Sequence, residues 1–171
     1  MRSMVHVYTG NGKGKTTSAF GLALRGVGAG KKVIIIQFVK GMEYSEVLAV
    51  KKYLPQIEIK QFGTGCFIFK NPADEDFEEA QKGFHEAKVA VSSGDYDIVI
   101  LDELNIAVYY NLIDVEQVIN MIKIRNDKTE VIITGRYADE RLIEISDLVT
   151  EMKEVKHYYK KGVEARLGIE K

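Results

Sequence analysis

Short apolar runs recur along the chain, separated by longer stretches with helical periodicity. Residues 5–8, 33–38, 57–62, 98–101, 131–134 and 148–152 read as strands. The runs at 33–38, 98–101 and 131–134 are rich in Val and Ile and almost unbroken, as expected of strands buried on both faces. Residues 57–62 alternate instead and belong nearer an edge, and 148–152 is a weaker final strand. Residues 15–29 form the first expected helix, stopped by Gly28 and Gly30. A long amphipathic helix is expected over 73–92, with Asp74, Glu75 and Asp76 suiting its positive end. Asp114 opens a helix over 114–124, with Gln117 at capping-box spacing, and a shorter helix covers 138–145. Strands that alternate with helices predict an α/β fold, a mostly parallel sheet flanked by helices, in one domain over residues 1–171.

Composition narrows the class of protein. With 24 Lys and Arg against 25 Asp and Glu, the chain has no basic surplus, which argues against a nucleic-acid groove. The single cysteine, Cys66, excludes an internal disulfide framework and a Cys-x-x-Cys metal knuckle, pointing to a reducing, cytoplasmic setting. The opening residues fit no secretory signal, and no apolar run approaches the roughly 20 residues that span a bilayer, so no membrane partner is expected.

The strongest chemical signal follows the first strand: Thr9-Gly10-Asn11-Gly12-Lys13-Gly14-Lys15-Thr16-Thr17. Strand, glycine-rich loop and helix in this order form a phosphate cradle, because glycines let successive N–H groups turn inward. Lys15 would reach the outer phosphates, the Thr16 hydroxyl would ligate Mg²⁺, and the helix N-terminus adds partial positive charge. Thr9 stands where the usual pattern has glycine.

Four further groups fall at expected strand ends, the edge where open α/β sheets bind ligands. Asp102-Glu103 closes the fourth strand; as hard oxygen donors they would hold Mg²⁺ beside the loop, or else merely start a helix. Arg136, in Thr134-Gly135-Arg136, can pair with an anionic ligand or with Asp139 or Glu140. Gln37 ends the second strand and points toward the same edge. Phe67 and Phe69 follow Gly63-Thr64-Gly65 and can wall a flat apolar substrate or pack into the core. His157 reads as structural.

Together these segments resemble the ATP:corrinoid adenosyltransferases of the P-loop type, which make adenosylcobalamin. The likeness is carried by residues 8–17, 22–28, 33–41 ending in Gln37-Phe38-Val39-Lys40-Gly41, 101–104, 131–136, 147–152, Lys156-His157 and 162–170. Thr9 is itself a feature of that family's loop. The resemblance implies a RecA-like domain and ATP and a corrinoid as substrates, with Mg²⁺ as cofactor. The adenosyl group passes to Co(I) and the whole triphosphate leaves. It assigns Lys15, Thr16 and Glu103 to catalysis, Thr16, Asp102 and Glu103 to the metal, and residues 10–17, Gln37 and Arg136 to substrate binding. Phe67 and Phe69 would press on the lower corrin face and exclude an axial ligand. The resemblance further implies an electron donor such as a reduced flavoprotein, and a homodimer. Some relatives cover the site with an N-terminal extension; closure here is expected from elsewhere, such as a partner subunit. The competing readings are a P-loop kinase or ATPase acting on the γ-phosphate, and a non-catalytic nucleotide-binding module.

Overall fold

The computed structural model describes residues 3–65 and 72–171. Its elements run β1 (Val5–Thr9), α1 (Lys15–Gly28), β2 (Val33–Phe38), α2 (Ser45–Tyr53), β3 (Ile57–Phe62), α3 (Asp74–Ser93), β4 (Ile98–Asp102), α4 (Leu104–Tyr109), α5 (Val115–Lys123), β5 (Glu130–Thr134), α6 (Glu140–Ile145) and β6 (Leu148–Glu151), then a 3-10 turn at Tyr158–Lys161. All six strands are parallel, in the order β3-β2-β4-β5-β1-β6. The α/β architecture is the one expected, with β4 and β5 central and β3 and β6 at the edges.

Every residue of β2 and β4 is buried, because helices cover both sheet faces. Side chains alternate between them. Ile34 and Ile36 face a larger core with α3, α4 and α5, whereas Val33 and Ile35 face a smaller one against Ala19 and Ala23 of α1. Such two-sided burial removes the period-2 polarity that would mark an exposed strand. The edge strand β6 is exposed throughout, which explains its weak apolar signal.

Three elements escape the sequence pattern. Helix α2 presents only Val47 and Val50 as buried residues among polar neighbours. Helix α4 has six residues and no side-chain cap, because Glu103 before it is left-handed (φ 61°) and its side chain does not reach back to the helix N–H groups. The turn at Tyr158–Lys161 is capped by His157, whose Nδ1 accepts from the Tyr159 N–H at 3.0 Å. At the start of α5, Asp114 caps as expected, but its carboxylate accepts from the Glu116 N–H, with no box closed by Gln117.

Parallel strands deliver all their carboxyl ends to one edge of the sheet. The connections after β1, β2, β4 and β5 and the chain beyond β6 therefore meet there.

Candidate active site

The glycine-rich loop leaves β1 and folds against the end of β6. Gly12 N–H donates to the Met152 carbonyl at 2.6 Å. A Cβ on Gly10 or Gly12 would lie 2.5 or 2.7 Å from that same oxygen, so both positions demand glycine. Gly10 and Gly14 also have φ of 94° and 123°, where other residues are strained. Thr9 needs no such freedom: it is the last strand residue, in register with Glu151. Its hydroxyl accepts from the Ala138 N–H at 3.3 Å, which fastens the loop after β5 to the base of the P-loop.

Lys15 begins α1 and is buried, its ammonium donating to the Gly10 and Gly12 carbonyls at 2.7 and 2.8 Å. Burial pulls its pKa below the ordinary lysine value, against the attraction of Glu103 and Asp102. Such an ammonium has poor partners, and a phosphate oxygen would replace neutral carbonyls by a charge-assisted bond.

Asp102 is the hub of the site and is fully buried. Its Oδ1 accepts from the hydroxyls of Thr16 at 2.9 Å and Thr134 at 2.7 Å. Its Oδ2 accepts from the Gln37 amide at 2.9 Å and the Lys40 ammonium at 2.8 Å. Burial opposes ionisation, yet Lys40 and these hydrogen bonds hold the carboxyl below its usual range. Both carboxylate oxygens are thus already doubly engaged.

Glu103, the next residue, is in the opposite state. Its N–H donates to Thr134 Oγ1 at 3.0 Å, and the left-handed backbone turns the side chain along the cleft. Burial and the neighbouring Asp102 charge push its pKa up. A Cβ on Gly135 (φ 131°) would lie 3.2 Å from Glu103 Oε2 and 2.9 Å from Asn105 Cβ, so glycine there leaves room for the carboxylate. Asn105, fully buried, pins this turn by donating to the Gly135 carbonyl at 3.1 Å.

These groups open onto a cleft of about 800 Å³ lined by residues 11–17, Lys40, Glu103, Arg136, Tyr137 and the segment Gly168–Lys171, among others. A shallower groove of similar volume between β3 and α3 carries neither the loop nor the acidic pair. Arg136 is exposed in the cleft, and among the described residues it makes no ion pair; Asp139 is taken by Arg141 at 2.8 Å. Lys13 reaches across to the far end of the chain, donating to the Ile169 carbonyl at 2.7 Å and Glu170 Oε1 at 3.0 Å.

Gln37 is where the picture changes. It is fully buried and does not line the cleft: its Nε2 donates to Asp102 and its Oε1 accepts from Gln61 Nε2 at 3.0 Å. Its amide thus joins Asp102 to Gln61 beneath the cleft. Conversely, Lys40 and Asn105 are functional candidates that residue-by-residue reading passed over. Lys40 follows a β-branched residue in the left-handed region, Val39 (φ 51°), a conformation costing roughly 1–3 kcal/mol. Phe67 and Phe69 lie outside the described residues.

Loop, acidic pair and parallel sheet define a P-loop protein of the α/β class. The family model described as ATP:corrinoid adenosyltransferase BtuR/CobO/CobP matches residues 1–170. The chain is 36% identical over 170 residues to the corrinoid adenosyltransferase of Escherichia coli K12, covering 99% of this chain and 86% of that protein. It is 35% identical to proteins of the same name in Pseudomonas aeruginosa and Salmonella typhimurium, over 99% of this chain and 84% and 86% of theirs. The chain belongs to the ATP:corrinoid adenosyltransferase family.

Proposed function

We propose that this protein transfers the 5′-deoxyadenosyl group of ATP to the Co(I) ion of a corrinoid and releases triphosphate. The observation that carries the reading is a phosphate loop and a free carboxylate converging on one cleft in a member of this family. Cobalt attacks the ribose 5′ carbon, the carbon–cobalt bond forms as the carbon–oxygen bond breaks, and the electron pair leaves with the triphosphate. The chain's task is to hold that leaving group. Loop N–H groups and Lys15 would take up the growing oxyanion charge, and preorganised donors of this kind act where charge develops. Arg136, which lines the same cleft, would pair with the triphosphate or another anionic group.

The oxygen donors of Thr16, Asp102 and Glu103 suit Mg²⁺, a hard cation bound by few carboxylates together with phosphate. When bound, it would neutralise triphosphate charge. Glu103 is the readier direct ligand, because its carboxylate accepts no side-chain hydrogen bond among the described residues, whereas Asp102 is saturated. Thr16 would ligate through the lone pair that faces Lys40, and Asp102 would orient the Thr16 hydroxyl. A reductant such as a reduced flavoprotein would supply Co(I).

The test is incubation with ATP, Mg²⁺ and chemically reduced cobalamin, reading the cobalt–carbon product by absorbance and triphosphate by chromatography. Lys15→Ala is expected to lower kcat/KM by about 10²–10³-fold with folding retained. Release of ADP and phosphate instead of triphosphate would replace this reading by a kinase or ATPase.

A further inference from the structure

Adenosyl transfer leaves Lys40 without a task, yet the fold takes trouble to hold it inward. The strained turn at Val39 reverses the chain directly after β2 and sends Lys40 back over the strand ends. The turn is pinned from outside as well. Gly41 N–H donates to the Gly65 carbonyl at 2.7 Å. A Cβ on Gly41 would lie 2.5 Å from the Gly63 carbonyl oxygen, and one on Gly63 would lie 2.5 Å from Lys40 N. The side chain is therefore delivered to one place. Lys40 is 7% exposed, and its ammonium lies 2.8 Å from Asp102 Oδ2 and 3.3 Å from Thr16 Oγ1.

Those two oxygens belong to the set a divalent cation would use. Thr16 donates its proton to Asp102, so the oxygen lone pair that faces Lys40 is the one a cation would take. An ammonium and a divalent cation cannot both occupy that spot. Lys15 and Arg136 line the same cleft, so an incoming triphosphate finds cations to pair with there beyond Lys40 itself.

We propose that Lys40 is a resident counter-cation that closes the Thr16–Asp102 oxygens to free divalent metal, so that metal enters only as its complex with the triphosphate. Binding of the triphosphate gives the ammonium phosphate oxygens to turn to, and frees the Thr16 oxygen for the ion that arrives with it. Lys40 is a positioning residue in this account, acting through Asp102 and Thr16. The proposal rests on the cleft taking a nucleoside triphosphate, and it extends that reading to the order in which metal and nucleotide are admitted.

The probe is Mn²⁺, titrated into nucleotide-free protein and followed by electron paramagnetic resonance. Wild type and Lys40→Arg, which keep the charge, are expected to bind Mn²⁺ alone weakly. Lys40→Gln keeps an N–H donor for Asp102 but no charge, and is expected to bind Mn²⁺ at least about tenfold more tightly. The double variant Lys40→Gln/Asp102→Asn should lose that gain. A merely structural lysine predicts the opposite sign, since its loss would loosen the site and weaken every ligand. If Lys40→Gln binds Mn²⁺ no more tightly than wild type, the proposal fails. Should Lys40→Gln fold poorly, thermal melts with and without Mn²⁺ give the same answer: the variant must gain more from the metal than wild type does, and equal gains overturn the idea. The adenosylation assay on wild type stands apart. Its failure would remove the corrinoid reading while leaving the Mn²⁺ result to be judged alone.

Discussion

The two walls of the cleft are built on different physical terms. At the strand ends, charge is buried: Asp102 and Lys40 lie in the interior, joined to Thr16, Thr134 and Gln37 by hydrogen bonds of 2.7–2.9 Å to the carboxylate. Opposite, the segment after β6 returns over the loop through a cluster in which Lys13, Tyr158 and Arg166 all bond Glu170, the two cations exposed and Tyr158 and Glu170 half-buried. A buried network is costly to break, because each group left behind is desolvated and unpaired. A cluster whose cations are exposed is nearly free to exchange its partners for water. The first wall is suited to fixing the geometry of a leaving group, the second to opening and closing around substrates.

The sharpest way to break this contrast is Asp102→Ala. It leaves Lys40 buried without its counter-ion and strips the acceptor from two hydroxyls and an amide. Removal of one member of a buried ion pair is expected to cost about 3–5 kcal/mol of stability, read by urea denaturation of the nucleotide-free protein. A loss below about 1 kcal/mol would mean that water reaches this network as readily as it reaches the outer wall.

A subtler contrast lies within the inner wall, between two adjacent carboxylates. Lys40 holds Asp102 ionised, whereas burial and Asp102 itself raise the pKa of Glu103. A group whose folded pKa lies above its unfolded value contributes stability below the unfolded value, here 4.5, and loses it as pH rises through the folded pKa. Glu103→Gln removes that dependence. The variant should therefore gain in Tm over wild type as pH is raised from about 4.5 toward neutrality in metal-free buffer. Mg²⁺ with ATP should shrink the gain, because it supplies the missing partner of the ionised carboxylate. A difference in Tm independent of pH would show that Glu103 titrates like a solvated acid.

Much of this was legible in the chain. The strands announced themselves because unbroken Val and Ile runs have few other fates, and the loop because three glycines and Lys15-Thr16 follow a strand; in the structure Gly10 meets both positive φ and contact with Met152, Gly12 the contact alone. Asp102 and Glu103 were readable as a pair, but their division of labour was not. It depends on Lys40, Gln37 and Thr134, which approach from β2 and β5 only after the sheet has formed. Gln37 illustrates the limit: being at a strand's carboxyl end says that a side chain is near the ligand edge, not whether it faces out or in. Lys40 was hidden for the same reason. A lysine after a strand is ordinarily solvated, and only the left-handed Val39 turns this one inward.

The outer wall offers the smallest expected effect. Glu170→Gln keeps the size of the side chain and removes the charge that Lys13 and Arg166 share. Because both cations are exposed and the glutamine can still accept their hydrogen bonds, Tm should move little. Lys13 would lose one partner yet keep the Ile169 carbonyl, so the loop itself should stay in place. The segment Gly168–Lys171, however, lines the cleft, and loosening it should let substrate escape more readily. KM for ATP is then expected to rise by no more than about fivefold, with kcat unchanged, in steady-state adenosylation with chemically supplied Co(I). A fall in kcat at constant KM would reverse the assignment of the two walls, because it would mean that the outer cluster acts in the transition state rather than in retaining the nucleotide.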